Sequence, residues 1–244
     1  MQVRFKAFSI HLLTSGLIAL AALLWVFTVW YPAPLHQALA VTHIFLLLIF
    51  VDMMLGPVLT LLVYKPGKRT LVFDLIVIAA LQLSALGYGL WTVANGRPAW
   101  LVFNVDRFDV VQVVDIDERH LELADPAYQA ASWFGPEWVG ADHSASGEHY
   151  NSILFESVLG GPDIAQRPFL YRTLVQFKET MRDKAQPLTR LSDFNDAETV
   201  VATLSKWHQA SGWLPLMARA QPMVVLLKDD NTDVLGIVAL NPWP

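Results

Sequence analysis

Asp52 stands alone among about 24 apolar residues, Ala40 to Tyr64, and is followed closely by Gly56-Pro57. A run of that length crosses a bilayer, which takes about 20 apolar residues. A carboxylate at such a depth costs about 3 kcal/mol or more, so it needs a partner or a wet cavity. Asp74 is the other acid in an apolar run, and two acids could in principle form an intramembrane protease dyad. Depth excludes this. At 1.5 Å per residue, Asp52 lies roughly 18 Å above Tyr64, while Asp74 lies roughly 5 Å past Leu71. A dyad sharing a proton needs contact at about 3 Å. His11 is the titratable group one turn inside the first apolar run. It is either bonded within the protein or offered as a donor to a partner.

Metal chemistry is not expected. His43 and Asp52 are nine positions apart, on opposite sides of an ideal helix. Asp142-His143 and His149 sit in a Gly/Ser-rich stretch with a spacing that many loops show. Asp115, Asp117, Glu118 and Glu122 form an acidic cluster without the order of an EF-hand, so a solvated face is expected there. There is no G-x-S-x-G, no Gly-rich phosphate loop and no H-E-x-x-H, so neither catalysis nor a cofactor is expected.

Three elements must position Asp52 and His11. Apolar spans run from about Ala7 to Trp30, Ala40 to Tyr64 and Leu71 to Ala94, each long enough to cross. Trp25, Trp30, Tyr31, Tyr64, Tyr88 and Trp91 lie near their ends, where rings with a polar edge favour the interface. Ala38-Leu39-Ala40 would suit a signal-peptide cleavage site, but the preceding apolar core is longer than such peptides use. Arg4 and Lys6 precede the first span, and Lys65, Lys68 and Arg69 fill the turn between the second and third. Residues 31–39 carry no Lys or Arg. The positive-inside rule then sets the N-terminus in the cytoplasm and everything beyond the third span on the outer side, taken as the periplasm of a bacterial inner membrane.

Composition agrees with this layout. The 244 residues are 54% hydrophobic and only 16% charged. Before Arg97 there are two acids and five bases; from Arg97 onward there are 20 acids and 12 bases. An acidic balance argues against nucleic acid as a partner. The chain has no cysteine, which excludes disulfides and thiolate chemistry. The expected fold is a membrane protein, with three transmembrane helices in residues 1–96 and a small α+β domain in residues 97–244.

Helix packing is suggested by small residues four apart: Ser15 and Ala19, Ala80 and Ser84, Ala85 and Gly89. Asp52, Gly56 and Thr60 recur at i, i+4 and i+8 as one narrow stripe, and Pro57 should kink the helix beside it. The stripe either packs on the other two spans or faces a partner helix, with a proton or ion path as a third reading. In the second half, Trp100–Val105 and Asp109–Val114 read as strands, and Asp125-Pro126 as the start of a short helix. Residues 133–151 read as a loop, and Ile153–Leu159 as a short helix. Phe169, Thr173, Phe177 and Met181 recur every four residues as in an amphipathic helix. Asn195 with Glu198 suggests a capped helix to about Ala210, stopped at Gly212. A hairpin is expected through Asp229-Asp230-Asn231, between 222–227 and 234–240.

Several segments resemble the type IV pilin accessory proteins of the TfpX/TfpZ family. They are Arg4-x-Lys6-Ala7-Phe8 with Ile10-His11-Leu12, then Val51-Asp52 with Leu55-Gly56-Pro57 and Leu59-Thr60-Leu61. Tyr88-Gly89-Leu90, Arg97-Pro98, Val105-Asp106-Arg107-Phe108, Leu214-Pro215-Leu216 and Asn241-Pro242-Trp243 extend the likeness over essentially the whole chain. The resemblance implies an inner-membrane protein for type IV pilus biogenesis that stabilises or presents its cognate pilin, alongside the assembly machinery and without catalysis. His11, Asp52, Gly56, Pro57 and Thr60 would contact the pilin helix. Arg4 and Lys6 would supply charge at the cytoplasmic edge. Pilins of this kind carry an acid about one turn inside that edge, which His11 and Lys6 would shield. The competing class is a membrane-anchored sensor with an outer ligand domain. It would need a separate signalling partner, since only short basic segments face the cytoplasm.

Overall fold

A computed structural model describes residues 2–143, 156 and 159–243. Three helices long and apolar enough to span a membrane open the chain. Helix α1 (Gln2–Trp25) runs on through a π-helical turn (Val26–Trp30), α3 covers Val41–Val63, and α4 covers Leu71–Asn95. Between the first two lies the one-turn α2 (Leu35–Ala38). Pro57 lies inside α3. Ser15 and Ala19 are buried on α1, as close helix packing requires. The other small pairs divide differently: Ala80, Ser84 and Ala85 are exposed, and only Gly89 is buried, where a Cβ would collide with Leu48 of α3.

Seven strands follow: β1 (Pro98–Asn104), β2 (Arg107–Gln112), β3 (Glu137–Ala141), β4 (Tyr171–Thr173), β5 (Gly212–Met217), β6 (Met223–Lys228) and β7 (Asp233–Val238). They form one mixed sheet in the order β4-β3-β1-β2-β5-β6-β7. β1 pairs antiparallel with β2 and parallel with β3, while β2 meets β5 in parallel at Leu216 and Met217. Strand alternation sends Leu101, Phe103, Val225 and Leu227 to one buried cluster. Trp100 and Val102 go to a second cluster, and Val224 and Leu226 to a third. Both faces are covered, which is why every residue of β1 is buried.

The helices and the sheet are joined through α2. Leu35 and Ala38 enter the sheet core, and the Ala38 carbonyl accepts from the Ala220 and Gln221 amides at 3.0 and 3.2 Å. The α1–α3 connection therefore lies on the sheet side of the bundle. The N-terminus and the Lys65–Arg69 turn lie at the other end, where Lys68 pairs with Asp74 at 2.7 Å.

Several sequence expectations need correction. Residues 137–141 are strand, not loop, because Trp138 and Val139 pair with the buried β1. Most of the predicted helix at 153–159 falls outside the described residues, as does His149. The four-residue rhythm from Phe169 is no helix: it passes through a 3-10 turn, β4 and another 3-10 turn before α5 (Lys178–Lys184). Helix α6 (Ala197–Leu204) is shorter than expected, and its cap is Asp196, which accepts from the Thr199 amide, not Asn195. Gly212 opens β5 instead of merely stopping a helix. The hairpin turn is present, with Asp229, Asp230 and Asn231 all left-handed, a conformation such residues tolerate.

The acidic cluster is answered by arginines. Asp115 accepts from Arg219 at 2.9 Å. Asp117 is buried and accepts from Arg119 Nε and Nη2, each at 2.8 Å. Glu156 accepts from Arg119 and from buried Arg167 at 2.6 and 2.7 Å. These arginines hold the Asp117 and Glu156 carboxyls below their ordinary range, against a smaller opposing effect of burial. A carboxyl with a depressed folded-state pKa stabilises above its unfolded value, about 4. That stability is lost as pH falls through the folded value. Asp109 acts in the opposite sense, since burial raises it despite bonds from Asn104 and Arg107. Acidification below about pH 4 is therefore expected to lower the denaturant midpoint of the wild-type protein. Asp117→Asn should be less stable at pH 7 and show a shallower acid slope. Parallel slopes in chemical melts at several pH values would contradict this account.

Candidate functional site

The groups singled out in the spans meet in one polar knot. His11 Nδ1 lies 2.6 Å from Thr60 Oγ1, and His11 Nε2 lies 3.0 Å from Gln82 Oε1. The Gln82 amide nitrogen donates to Ser15 Oγ at 2.9 Å and to the Asp52 carbonyl at 3.1 Å. The amide oxygen can only accept, so His11 donates to it from Nε2, and in the neutral ring Nδ1 accepts from the Thr60 hydroxyl. All three long helices contribute. Interhelical bonds of this kind contribute about 0.6 kcal/mol each on average, so the knot sets register more than total stability.

Backbone packing explains the knot. α1 and α4 each pack along α3 but barely meet each other. The long Gln82 side chain crosses the gap they leave. Its end rests against Gly56, where any Cβ would overlap the Gln82 amide. Gly56 is thus a close-approach glycine, conformationally ordinary, and a side chain there would displace the Gln82 amide from the knot.

What remains is a groove between α1 and α4 with α3 as its floor. One part is a cavity of about 180 Å³ bordered by His11, Ser15, Asp52, Ala79, Gln82 and Leu86. A second part, of about 610 Å³, opens toward the N-terminal end between Lys6, Ile10, Thr60, Tyr64, Leu75 and Ala79. Ala79 is exposed and borders both.

The predicted contact residues divide accordingly. Gly56, Pro57 and Thr60 are buried within the bundle. Of that stripe Asp52 borders the inner cavity and Thr60 the outer part of the groove. His11 has both ring nitrogens bonded within the bundle, to Thr60 and Gln82. Lys6 is exposed at the groove mouth, and Arg4 is half-buried beside it in sequence. Gln82 was not among the predicted residues. Its signal was an amide in the middle of the third span, neutral and therefore less conspicuous than Asp52. Among the described residues no group of three His, Asp or Glu side chains is arranged to hold a metal.

Three membrane-length helices, a largely apolar groove beside a polar knot, and a mixed-sheet domain docked at one end define a membrane protein with an open cleft among its spans. A model of the fimbrial assembly protein FimB matches residues 1–40, which hold Arg4, Lys6 and His11. The fimbrial assembly proteins of Dichelobacter nodosus serogroups E1 and I are each 28% identical over 252 residues, covering 98% of this chain and 95% of each relative. The protein of serogroups C1 and C2 is 33% identical over 113 residues, covering 46% of this chain and 86% of that relative. The chain belongs to this fimbrial assembly protein family, in keeping with the resemblance read from its sequence. No solved structure matches it.

Proposed function

We propose that this protein serves type IV pilus biogenesis by holding its cognate pilin in the membrane, the pilin's apolar helix lying in the groove between α1 and α4. The observation that carries the reading is the groove itself. Two helices splayed on a third leave an open, largely apolar cleft with Asp52 and Thr60 on its floor, against which a fourth helix would pack. The names of the relatives support the process. The arrangement of bases supports an inner-membrane orientation with the N-terminus in the cytoplasm and the sheet domain in the periplasm, beside a pilin head. The action is binding, without catalysis or cofactor.

Deletion of the gene, with total pilin followed by immunoblot and surface pili by microscopy, tests this. The expected result is loss of pili together with loss of pilin. Loss of pili with normal pilin overturns stabilisation and moves the role to assembly. No change in either overturns the accessory role.

A further inference from the structure

The sheet domain carries an exposed aromatic tip, Trp133-Phe134, and we propose that it inserts into the lipid leaflet on the sheet-domain side as a second membrane anchor. Phe134 is 81% exposed and Trp133 57% exposed, while the other described aromatic residues of the sheet domain are buried or half-buried. Their position argues for lipid over water. The Phe134 ring packs edge-on against Trp25 of α1 at 6.2 Å. Trp25 lies inside the first span, five residues before its end at Trp30, a depth of about 7 Å. It is itself 44% exposed, next to Leu24 at 57%. The tip therefore continues the lipid-facing surface of α1.

A second marker sets the same depth on α4. The Tyr31 hydroxyl donates to the Val93 carbonyl at 2.9 Å, which levels the end of the first span with Val93. Five residues deeper, Tyr88 is 71% exposed, with Trp91 beside it at 6.1 Å. Exposed Tyr and Trp at one level of two helices mark the lipid–water interface. Phe134 reaches that level.

The tip is also held. Trp30 Nε1 donates to the Trp133 carbonyl at 3.0 Å, and the Arg97 guanidinium lies 4.2 Å over the Trp133 ring. Gly135, left-handed at φ 115, turns the chain closely past the Val29 carbonyl. A loop held by these contacts inserts at a reduced ordering cost.

The chain lacks cysteine, so a single label reports the depth. Phe134→Cys in the full-length protein, carrying an environment-sensitive nitrobenzoxadiazole dye, is measured in phosphatidylcholine nanodiscs with no other protein present. Leu24→Cys serves as the lipid reference and Leu123→Cys, 65% exposed on the sheet domain, as the water reference. The expected result is blue-shifted emission at position 134, quenching by doxyl-labelled lipid and loss of iodide quenching, as at position 24. Emission and iodide quenching like those at position 123 would overturn the proposal and leave the tip to a protein partner.

Discussion

Ala79→Trp is expected to abolish surface pili while leaving the variant inserted and at wild-type level. Ala79 borders both parts of the groove and is exposed in the free chain. Because Ala79 is exposed, an indole there has the open groove to occupy, and folding should be spared. It occupies the space a docked helix would need. Forcing a large ring into a packed helix interface costs about 1–3 kcal/mol. Since each 1.4 kcal/mol is tenfold in affinity, affinity for the groove should fall about fivefold to a hundredfold. If the proposed role holds, pilin loses its protection and falls with it. Leu81→Trp is the matched control. Leu81 is 63% exposed and borders neither part of the groove, so the same ring placed there should leave pili intact. Immunoblots of the variant and of pilin, with pilus counts, decide the matter. Normal piliation in Ala79→Trp would exclude the groove as the docking site, whatever the deletion shows.

The spans were legible because length and apolarity alone specify a membrane helix. Observed bounds of Gln2–Trp30, Val41–Val63 and Leu71–Asn95 lie within a few residues of those read from the sequence, except at the start of the first. The β1–β2 and β6–β7 hairpins were legible as Val-rich runs broken by turn residues. β3 was hidden because it is five residues long, flanked by glycine and proline, and stabilised by parallel pairing with distant β1. β5 was hidden by Pro215, which normally argues against a central strand. The structure accommodates it because β2 joins β5 only from Leu216 onward, while Gln186 bridges Trp213 on the other side of the proline.

Within the site, Asp52 drew attention because a charge in lipid is costly, yet Gln82 makes the connections. Four apolar-run residues, His11, Ser15, Thr60 and Gln82, bond across three helices separated by up to 71 positions. No local pattern encodes such a meeting. It depends on Gly56 letting Gln82 reach the α3 backbone, and on α1 and α4 diverging from each other. The same divergence creates the groove, so the knot and the cleft have one geometric origin.

Arg97→Leu should cost about 3 kcal/mol, roughly 10 °C in Tm for a chain of this size, by near-UV circular dichroism in detergent. Arg97 is 3% exposed and lies just past the C-terminus of α4. Its Nη1 donates to the Ala94 carbonyl at 2.7 Å and its Nε to the Ser132 carbonyl at 3.2 Å. Burial lowers its pKa, but a guanidinium stays protonated at any physiological pH. The charge is tolerated because carbonyls surround it and the negative end of the α4 dipole favours a cation there. No carboxylate pairs with it among the described residues. Leucine removes the charge and takes its donor from the Ser132 carbonyl at a desolvation cost, while the Ala94 carbonyl keeps only the 3.3 Å bond from the residue 97 amide. Arg97→Lys should fall between the two, since one ammonium cannot hold carbonyls on both α4 and the 131–132 segment while stacking on Trp133. A Leu variant within about 0.5 kcal/mol of wild type would contradict this account. The same substitution frees the Trp133-Phe134 tip from beneath, so the labelled position 134 should lose its blue shift in Arg97→Leu. A single arginine thereby couples the end of α4, the fold of the sheet domain and the depth of its aromatic tip.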